Sequence, residues 1–193
     1  MSRKSNRQEI LTKGLRFVHE RGFASASVRD IVEAAGVPQG SFTNHFASKE
    51  AFGLEILNLY FANASEVTRQ TLRNEALPPL ERLAAWIDSS KTGVSVSGQC
   101  NGCLLGNLAA EVADHSEALR TRLLEIFAEV QAAVTECLAA ATHTGDLPQT
   151  LDCNRLAAFI VASLQGANLL AKVQGSMEPV ERFKQILFAK VLR

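Results

Sequence analysis

The chain has few prolines, no long glycine or serine tract, and no uninterrupted apolar run of the length that a membrane span requires. Only five of its 193 residues are prolines, which argues against a flexible linker. A transmembrane helix needs about 20 predominantly apolar residues. With 47% hydrophobic and 21% charged residues, the composition is that of a globular protein rather than a disordered one. The start of the chain is basic and polar, unlike a secretory signal. We therefore expect a cytoplasmic protein with no membrane association.

Motifs that organise catalysis are also missing. The sequence contains no nucleophile elbow, no phosphate-binding loop and no metal-binding pair, so we predict no enzymatic activity, no catalytic residue and no cofactor. A zinc site would need two ligands besides a C-x-x-C pair, and the spacing of the remaining cysteines and histidines offers none. Those remaining residues are Cys137, Cys153, His115 and His143.

Strand patterns are absent, whereas helical spacing of apolar residues recurs along the whole chain. The patterns predict an all-α protein of about nine helices. The predicted helices cover residues 5–21, 28–35, 38–45, 48–73, a helix that begins at Pro78-Pro79, 102–113, a long helix that Ser116 caps, 153–174 and 179–193, with a looser stretch from Gly93 to Gly102. We expect two domains, a small one at 1–47 and a larger helical body at 48–193.

The stretch from Ser27 to Lys49 is the most informative part of the chain. It predicts two short helices joined by a tight turn, in which Gly36 takes the left-handed conformation that ends the first helix. Pro38 suits the first turn of the second helix. Phe42 and Phe46 lie four residues apart and are predicted to face the core. The polar or small residues left facing outward, as a helix that enters a major groove would present them, are Gln39, Gly40, Ser41, Thr43, Asn44 and His45.

The charge of the chain is balanced in total but uneven along its length. Lys plus Arg and Asp plus Glu both number 20. Residues 1–50 contain eight basic and five acidic side chains, a net charge of +3, and the remainder carries −3. The positive end coincides with the predicted reading helix, as phosphate binding requires. Considered alone, the asymmetry has chance distribution in a neutral protein as its alternative.

This signature resembles the DNA-binding motif of the TetR family of one-component transcriptional repressors. The resemblance is strongest over residues 10–56 and follows the family pattern through Ser27, Ile31, Ala34-Ala35-Gly36-Val37, Gly40-Ser41-Phe42, His45-Phe46 and Ser48-Lys49-Glu50. It implies a helix-turn-helix that binds double-stranded operator DNA. Three positions depart from the family: Thr43 stands where a tyrosine is usual, Asn44 stands where an aromatic residue or a histidine is commoner, and Pro38 replaces a Ser or Thr cap.

The resemblance also implies individual DNA contacts. Ser27 and Lys49 are expected to hold phosphates, and Arg29 to reach a base or a phosphate. Base edges are expected to meet Gln39, Gly40, Ser41, Thr43 and Asn44. His45 is expected to contact phosphate or to pack at the helix end.

The family further implies a homodimer on a palindromic operator. Helices 153–174 and 179–193 are the candidates for a four-helix interface, because their many small residues allow close approach. The alternative is that their apolar faces only complete the core of one chain. The 153–174 helix is apolar almost all round, which predicts burial on more than one side.

The sequence leaves two alternatives for how an effector acts on the protein. Cys100 and Cys103 form a C-x-x-C pair at a predicted helix start, where backbone N–H groups favour the reactive thiolate. The surrounding sequence resembles a TetR subgroup that senses electrophiles or oxidants, which implies a sensor role for Cys103 with Cys100 as a resolving partner. The alternative is that Cys103 is a small buried residue lining a pocket for a non-covalent apolar ligand.

The aromatic residues expected to line such a pocket are Phe61, Trp86 and Phe127, with the alternative that they are ordinary core residues. Cys137 is expected in the core, and Cys153 at a dimer contact. A helical protein-interaction module without DNA binding is the remaining alternative function.

Overall fold

The computed structural model describes residues 6–90 and 100–192, and over these residues it is helical without strands. Most of the predicted Gly93–Gly102 stretch lies outside the described residues. A π-helical turn, Leu187–Val191, follows the last helix. The nine α-helices of the described residues are α1 Asn6–Arg21, α2 Val28–Ala35, α3 Gly40–Thr43, α4 Lys49–Gln70, α5 Pro79–Ser89, α6 Leu104–Val112, α7 Glu117–Thr144, α8 Cys153–Gln174 and α9 Glu178–Ile186. The predicted all-α fold is confirmed.

Helix boundaries follow local chemistry. The hydroxyl of Ser48 accepts the N–H of Ala51 at 3.0 Å ahead of α4, and Ser116 accepts the N–H of Leu119 at 3.2 Å ahead of α7. The Asp152 carboxylate accepts an N–H at the start of α8 in the same way. These bonds satisfy backbone donors that the first helical turn leaves without partners.

The chain forms two compact units. The first contains Met1–Ala62 together with Leu104–Leu124, and the second contains Asn63–Cys103 with Glu125–Arg193. This division differs from the predicted domains, since α6 and the first turns of α7 are grouped with the N-terminal helices. The predicted boundary after residue 47 remains a functional expectation rather than a division of the packing.

The core of the first unit is built around three phenylalanine rings. Phe42, Phe46 and Phe52 are at most 2% exposed, and their ring centroids lie 5.1 to 5.6 Å apart. Helices α1, α2 and α3 pack on one another around them. Gly14 of α1 permits this packing, because a Cβ at that position would lie 2.8 Å from Cζ of Phe52. The predicted inward orientation of Phe42 and Phe46 is confirmed.

The second unit has its own apolar core, to which α5, α7, α8 and α9 contribute. Leu83, Ile87, Val134 and Ile160 are completely buried there. At its edge Lys184 of α9 donates a 2.6 Å hydrogen bond to the Asp88 carboxylate of α5. Helix α9 packs against α8 and α5, so the C-terminal segment is an integral part of this unit.

Helix α8 is buried on one face and exposed on another in the single chain, so its predicted burial on more than one side stays a prediction for the dimer. Its buried face carries Ile160 and Leu164, but Leu169 is 57% and Val173 77% exposed. An apolar pattern does not distinguish a core face from a face that a partner covers. In length and mean hydropathy, 1.5 over its most apolar window, α8 also meets the criterion for a membrane span. Core and interface helices meet the same criterion, so it is weak evidence for a membrane.

Candidate nucleic-acid interface

The first helix of the motif is fixed at both ends. Ser27 and Asp30 form a reciprocal cap: the Ser27 hydroxyl accepts the Asp30 N–H at 3.1 Å, and the Asp30 carboxylate accepts the Ser27 N–H at 2.9 Å. At the other end Gly36 is left-handed, with φ 70° and ψ 34°, and its N–H bonds back to the carbonyl of Glu33. The predicted tight turn is therefore present, and α2 starts and stops at defined residues.

The second helix is shorter than predicted. Only Gly40–Thr43 is α-helical, although single helical turns extend it on both sides through the bonds Ser41 N–H to Pro38 O and Phe46 N–H to Phe42 O. No side chain caps its N-terminal N–H groups. Pro38 stands where the family usually has a capping Ser or Thr, and the N–H groups of Ser41 and Phe42 bond instead to the backbone carbonyls of Pro38 and Gln39.

Five of the six residues predicted to face outward from the second helix are exposed: Gln39, Gly40, Thr43, Asn44 and His45. Around Gly40 nothing lies within 4 Å of where a Cβ would be, so the surface there is open. Arg29 on α2 is exposed as well. A polar, open face next to an exposed guanidinium can hydrogen-bond base edges and phosphates.

Ser41 is the exception, and its predicted outward orientation is wrong. It is only 8% exposed, and its hydroxyl accepts a 3.2 Å hydrogen bond from the side-chain amide of Asn6 on α1. Position 41 is adjacent to Phe42 on the inward side of a very short helix. Its polar side chain therefore links α3 to α1 instead of facing a groove.

The two predicted phosphate contacts have partners within the chain. The Ser27 hydroxyl donates to the Asp30 carboxylate at 2.6 Å, and this bond is the main reason that the pKa of Asp30 lies below its usual value. Lys49 Nζ donates to the carbonyl of Ala24 at 3.3 Å and lies 4.7 Å from the centre of the Phe23 ring. Partial burial lowers the pKa of Lys49, against the opposing effect of nearby carboxylates.

None of the four cysteines, all within the described residues, forms a disulfide. Cys103 is partly exposed and immediately precedes α6, whereas Cys100 is buried with its Sγ 3.3 Å from Sδ of Met177. Cys137 is a core residue as predicted: it is 3% exposed, and burial raises the pKa of its thiol to about 11. Cys153 is partly exposed at the start of α8.

The predicted pocket aromatics are divided between the two units. Trp86 and Phe127 are partly buried against the core of the second unit, while Phe61 belongs to the first, where the Arg122 guanidinium lies 5.7 Å from its ring centre. Two surface hollows of the described residues, about 510 and about 250 Å³, are lined by other side chains. Within residues 6–90 and 100–192, no cluster of three or more His, Cys, Asp or Glu side chains is arranged to hold a metal ion.

One side chain that contacts the turn before α2 could not be predicted from the sequence. Glu111 of α6 accepts the backbone N–H of Ala24, in the turn between α1 and α2, at 2.7 Å. The two residues are separated by 87 positions, so neither periodicity nor a local motif could have paired them.

Comparison with known families agrees with this geometry. Residues 10–56 match the model of the bacterial regulatory proteins of the tetR family, and residues 79–187 match the tetracyclin repressor-like C-terminal domain. The chain belongs to the TetR family. Members of this family are transcriptional regulators that bind operator DNA and act as dimers.

TetR-family relatives cover almost the whole chain. The HTH-type transcriptional repressor DhaR of Mycobacterium sp. (strain GP1) is 37% identical over all of this chain and 95% of its own length. A crystal structure of regulatory protein TetR from Rhodobacter sphaeroides has a TM-score of 0.87 at 29% identity, covering 92% of this chain and 94% of that one. The reduced form of Escherichia coli NemR gives 0.83 at 29% identity, with 93% coverage of each chain.

Proposed function

We propose that two copies of this chain bind a palindromic operator through the exposed face of α2 and α3, and that reaction of an electrophile at Cys103 releases the DNA. Repression is the function named for the relative DhaR. The observation that supports the DNA interface is the exposure of Gln39, Thr43 and Asn44 on a helix whose phenylalanines are buried. An operator-binding protein acts on the chromosome, so we place it in the cytoplasm.

The proposed contacts are of two kinds, hydrogen bonds or apolar contacts to base edges and charge contacts to phosphates. Gln39 can bond an adenine edge bidentately, and the methyl group of Thr43 can meet a thymine methyl. Arg29 and Lys49 carry the positive charge that neutralises phosphates, and the Lys49 ammonium has three N–H donors, of which the Ala24 carbonyl accepts one.

The proposed dimer interface is the exposed apolar face of the C-terminal helices. A large apolar face on one long helix is unusual for a surface that meets only water. In a two-fold dimer each residue of the patch serves both copies, as an isologous interface requires. The exposed apolar residues of this face are Phe159, Leu169, Leu170, Val173, Ile186 and Val191.

The proposed sensor is Cys103. Its thiol is partly exposed and not in a disulfide, and it stands directly before α6. A thiolate adds to an electron-poor alkene such as N-ethylmaleimide by forming a C–S bond, while the neighbouring carbon takes a proton from water. The solved structure of NemR is described as a reduced form, which agrees with thiol chemistry in a related protein.

A selection from random DNA followed by alkylation tests this function. The parent protein should enrich a palindromic sequence, bind it with strong salt dependence, and release it after treatment with N-ethylmaleimide. Cys103→Ser should bind equally well and stay bound after treatment. Cys153→Ser is the matched control, because that thiol also is partly exposed at a helix start, and it should still release DNA.

The outcomes separate the parts of the proposal. If no DNA sequence is enriched, the operator-binding function is refuted. If Cys103→Ser releases DNA as readily as the parent, the thiol switch is refuted, and a non-covalent apolar effector becomes the better explanation.

A further inference from the structure

The turn between α1 and α2 is held by side chains from two other helices. The Ala24 N–H donates to the Glu111 carboxylate of α6 at 2.7 Å. The Ala24 carbonyl accepts from Lys49 of α4 at 3.3 Å. Both backbone polar groups of one turn residue are therefore bonded to side chains distant in sequence, and all three residues lie in the first compact unit.

The backbone of the turn is shaped to receive the carboxylate. Gly22 has φ +90°, a conformation that residues with a Cβ rarely adopt. A Cβ at this position would lie only 3.1 and 3.3 Å from the two carboxylate oxygens of Glu111. Next to it, Phe23 is 7% exposed and packs so closely on Gly53 that a Cβ there would lie 2.9 Å from the phenyl ring. The turn thus has little freedom to move without breaking these contacts.

The position of this turn determines where the reading helices begin. Ser27, the cap of α2, follows Ala24 by three residues, and α3 packs on both α1 and α2. We propose that Glu111 is a positioning residue for DNA recognition, which fixes the turn at Ala24 and thereby the orientation of the reading helix. This inference rests on the DNA interface proposed above. It means that α6, which the predicted domains place in the effector body, helps to hold the DNA-binding helices in position.

The test separates the effect of the hydrogen bond that Glu111 accepts from the effect of its negative charge. Glu111→Gln keeps an oxygen that accepts the Ala24 N–H but removes the charge, whereas Glu111→Ala removes both. Asp114→Ala is the matched control, because this exposed carboxylate is three residues away. Each full-length variant is measured on the selected operator and on a scrambled duplex, at several salt concentrations. Hydrogen exchange of the Ala24 amide reports the bond directly in the absence of DNA.

Glu111→Ala should lose about tenfold in operator affinity, the factor that one hydrogen bond of typical strength represents, while its affinity for scrambled DNA and its salt dependence stay unchanged. Its Ala24 amide should exchange faster. Glu111→Gln should keep most of the operator affinity and most of the protection of the Ala24 amide, and Asp114→Ala should match the parent in both.

Equal discrimination by Glu111→Ala and the parent would overturn the inference, even if the Ala24 amide exchanged faster, because the bond would then be only structural. An equal loss in Glu111→Gln and Glu111→Ala would also overturn it, since charge would be responsible. If the parent itself does not distinguish operator from scrambled DNA, the proposed function fails and this inference fails with it. If the parent distinguishes them, only the inference is at stake.

Discussion

Replacement of Leu169 by serine should dissociate the dimer without unfolding the chain. Leu169 exposes 57% of its surface in the single chain, so the substitution removes little from the core of its own unit. Complete burial of a leucine side chain contributes about 2 to 3 kcal/mol. Burial of the exposed part therefore contributes roughly 1 to 1.7 kcal/mol per copy, or about 2 to 3.4 kcal/mol in a symmetric dimer.

Loss of this energy corresponds to a dissociation constant about 30 to 300 times higher. Sedimentation equilibrium over a range of protein concentrations measures that change, and circular dichroism checks that the helices remain. Leu124→Ser is the matched control, because Leu124 is 61% exposed but lies on α7 in the other unit. It should leave the dissociation constant unchanged.

The proposed interface is refuted if Leu169→Ser dimerises as tightly as the parent, or if Leu124→Ser is the variant that dissociates. In either case the exposed face of α8 is not the surface that the second copy covers.

Three further predictions concern the DNA-binding helices. Gly40→Ala should leave the protein as stable or about 0.5 to 1 kcal/mol more stable, because a Cβ there meets no atom within 4 Å. It should nevertheless weaken operator binding, because the added methyl group fills space that the DNA groove needs. Unchanged operator affinity would count against the interface. Gly36→Ala should lower the free energy of unfolding by about 1 kcal/mol or more, because its φ is +70°, and urea denaturation that finds no loss would contradict the role assigned to this turn. Gln39→Ala should relax the preference at one base pair by about 1 to 3 kcal/mol. Arg29→Ala should instead weaken binding to all sequences and lower the slope of log affinity against log salt concentration by about one. The reverse pattern in a binding assay would exchange the roles of these two residues.

The parts of the fold that sequence could predict are those that local chemistry decides. The left-handed Gly36, the caps at Ser48, Ser116 and Asp152, and the inward Phe42 all depend on neighbours within a few residues. Each satisfies or shields groups in its own helix, so a short window of sequence contains the information.

The features that sequence missed depend on distant partners. Ser41 faces inward because Asn6 of α1 bonds to it, and Glu111 is bonded to a turn 87 residues earlier in the chain. The exposed apolar face of α8 depends on a partner in a similar way, because apolar periodicity reports that a face avoids water and not which chain covers it. Long-range contacts and assembly are therefore where the prediction was incomplete.

The most direct test of the account is the stoichiometry and symmetry of the DNA complex. The selected operator should be a palindrome bound by two chains, with half-sites separated so that two copies of α3 enter successive major grooves. Footprinting and analytical ultracentrifugation of the complex measure both properties. A single chain on an asymmetric site, or a footprint that Gln39→Ala, Thr43→Ala and Asn44→Ala all leave unchanged, would contradict the account.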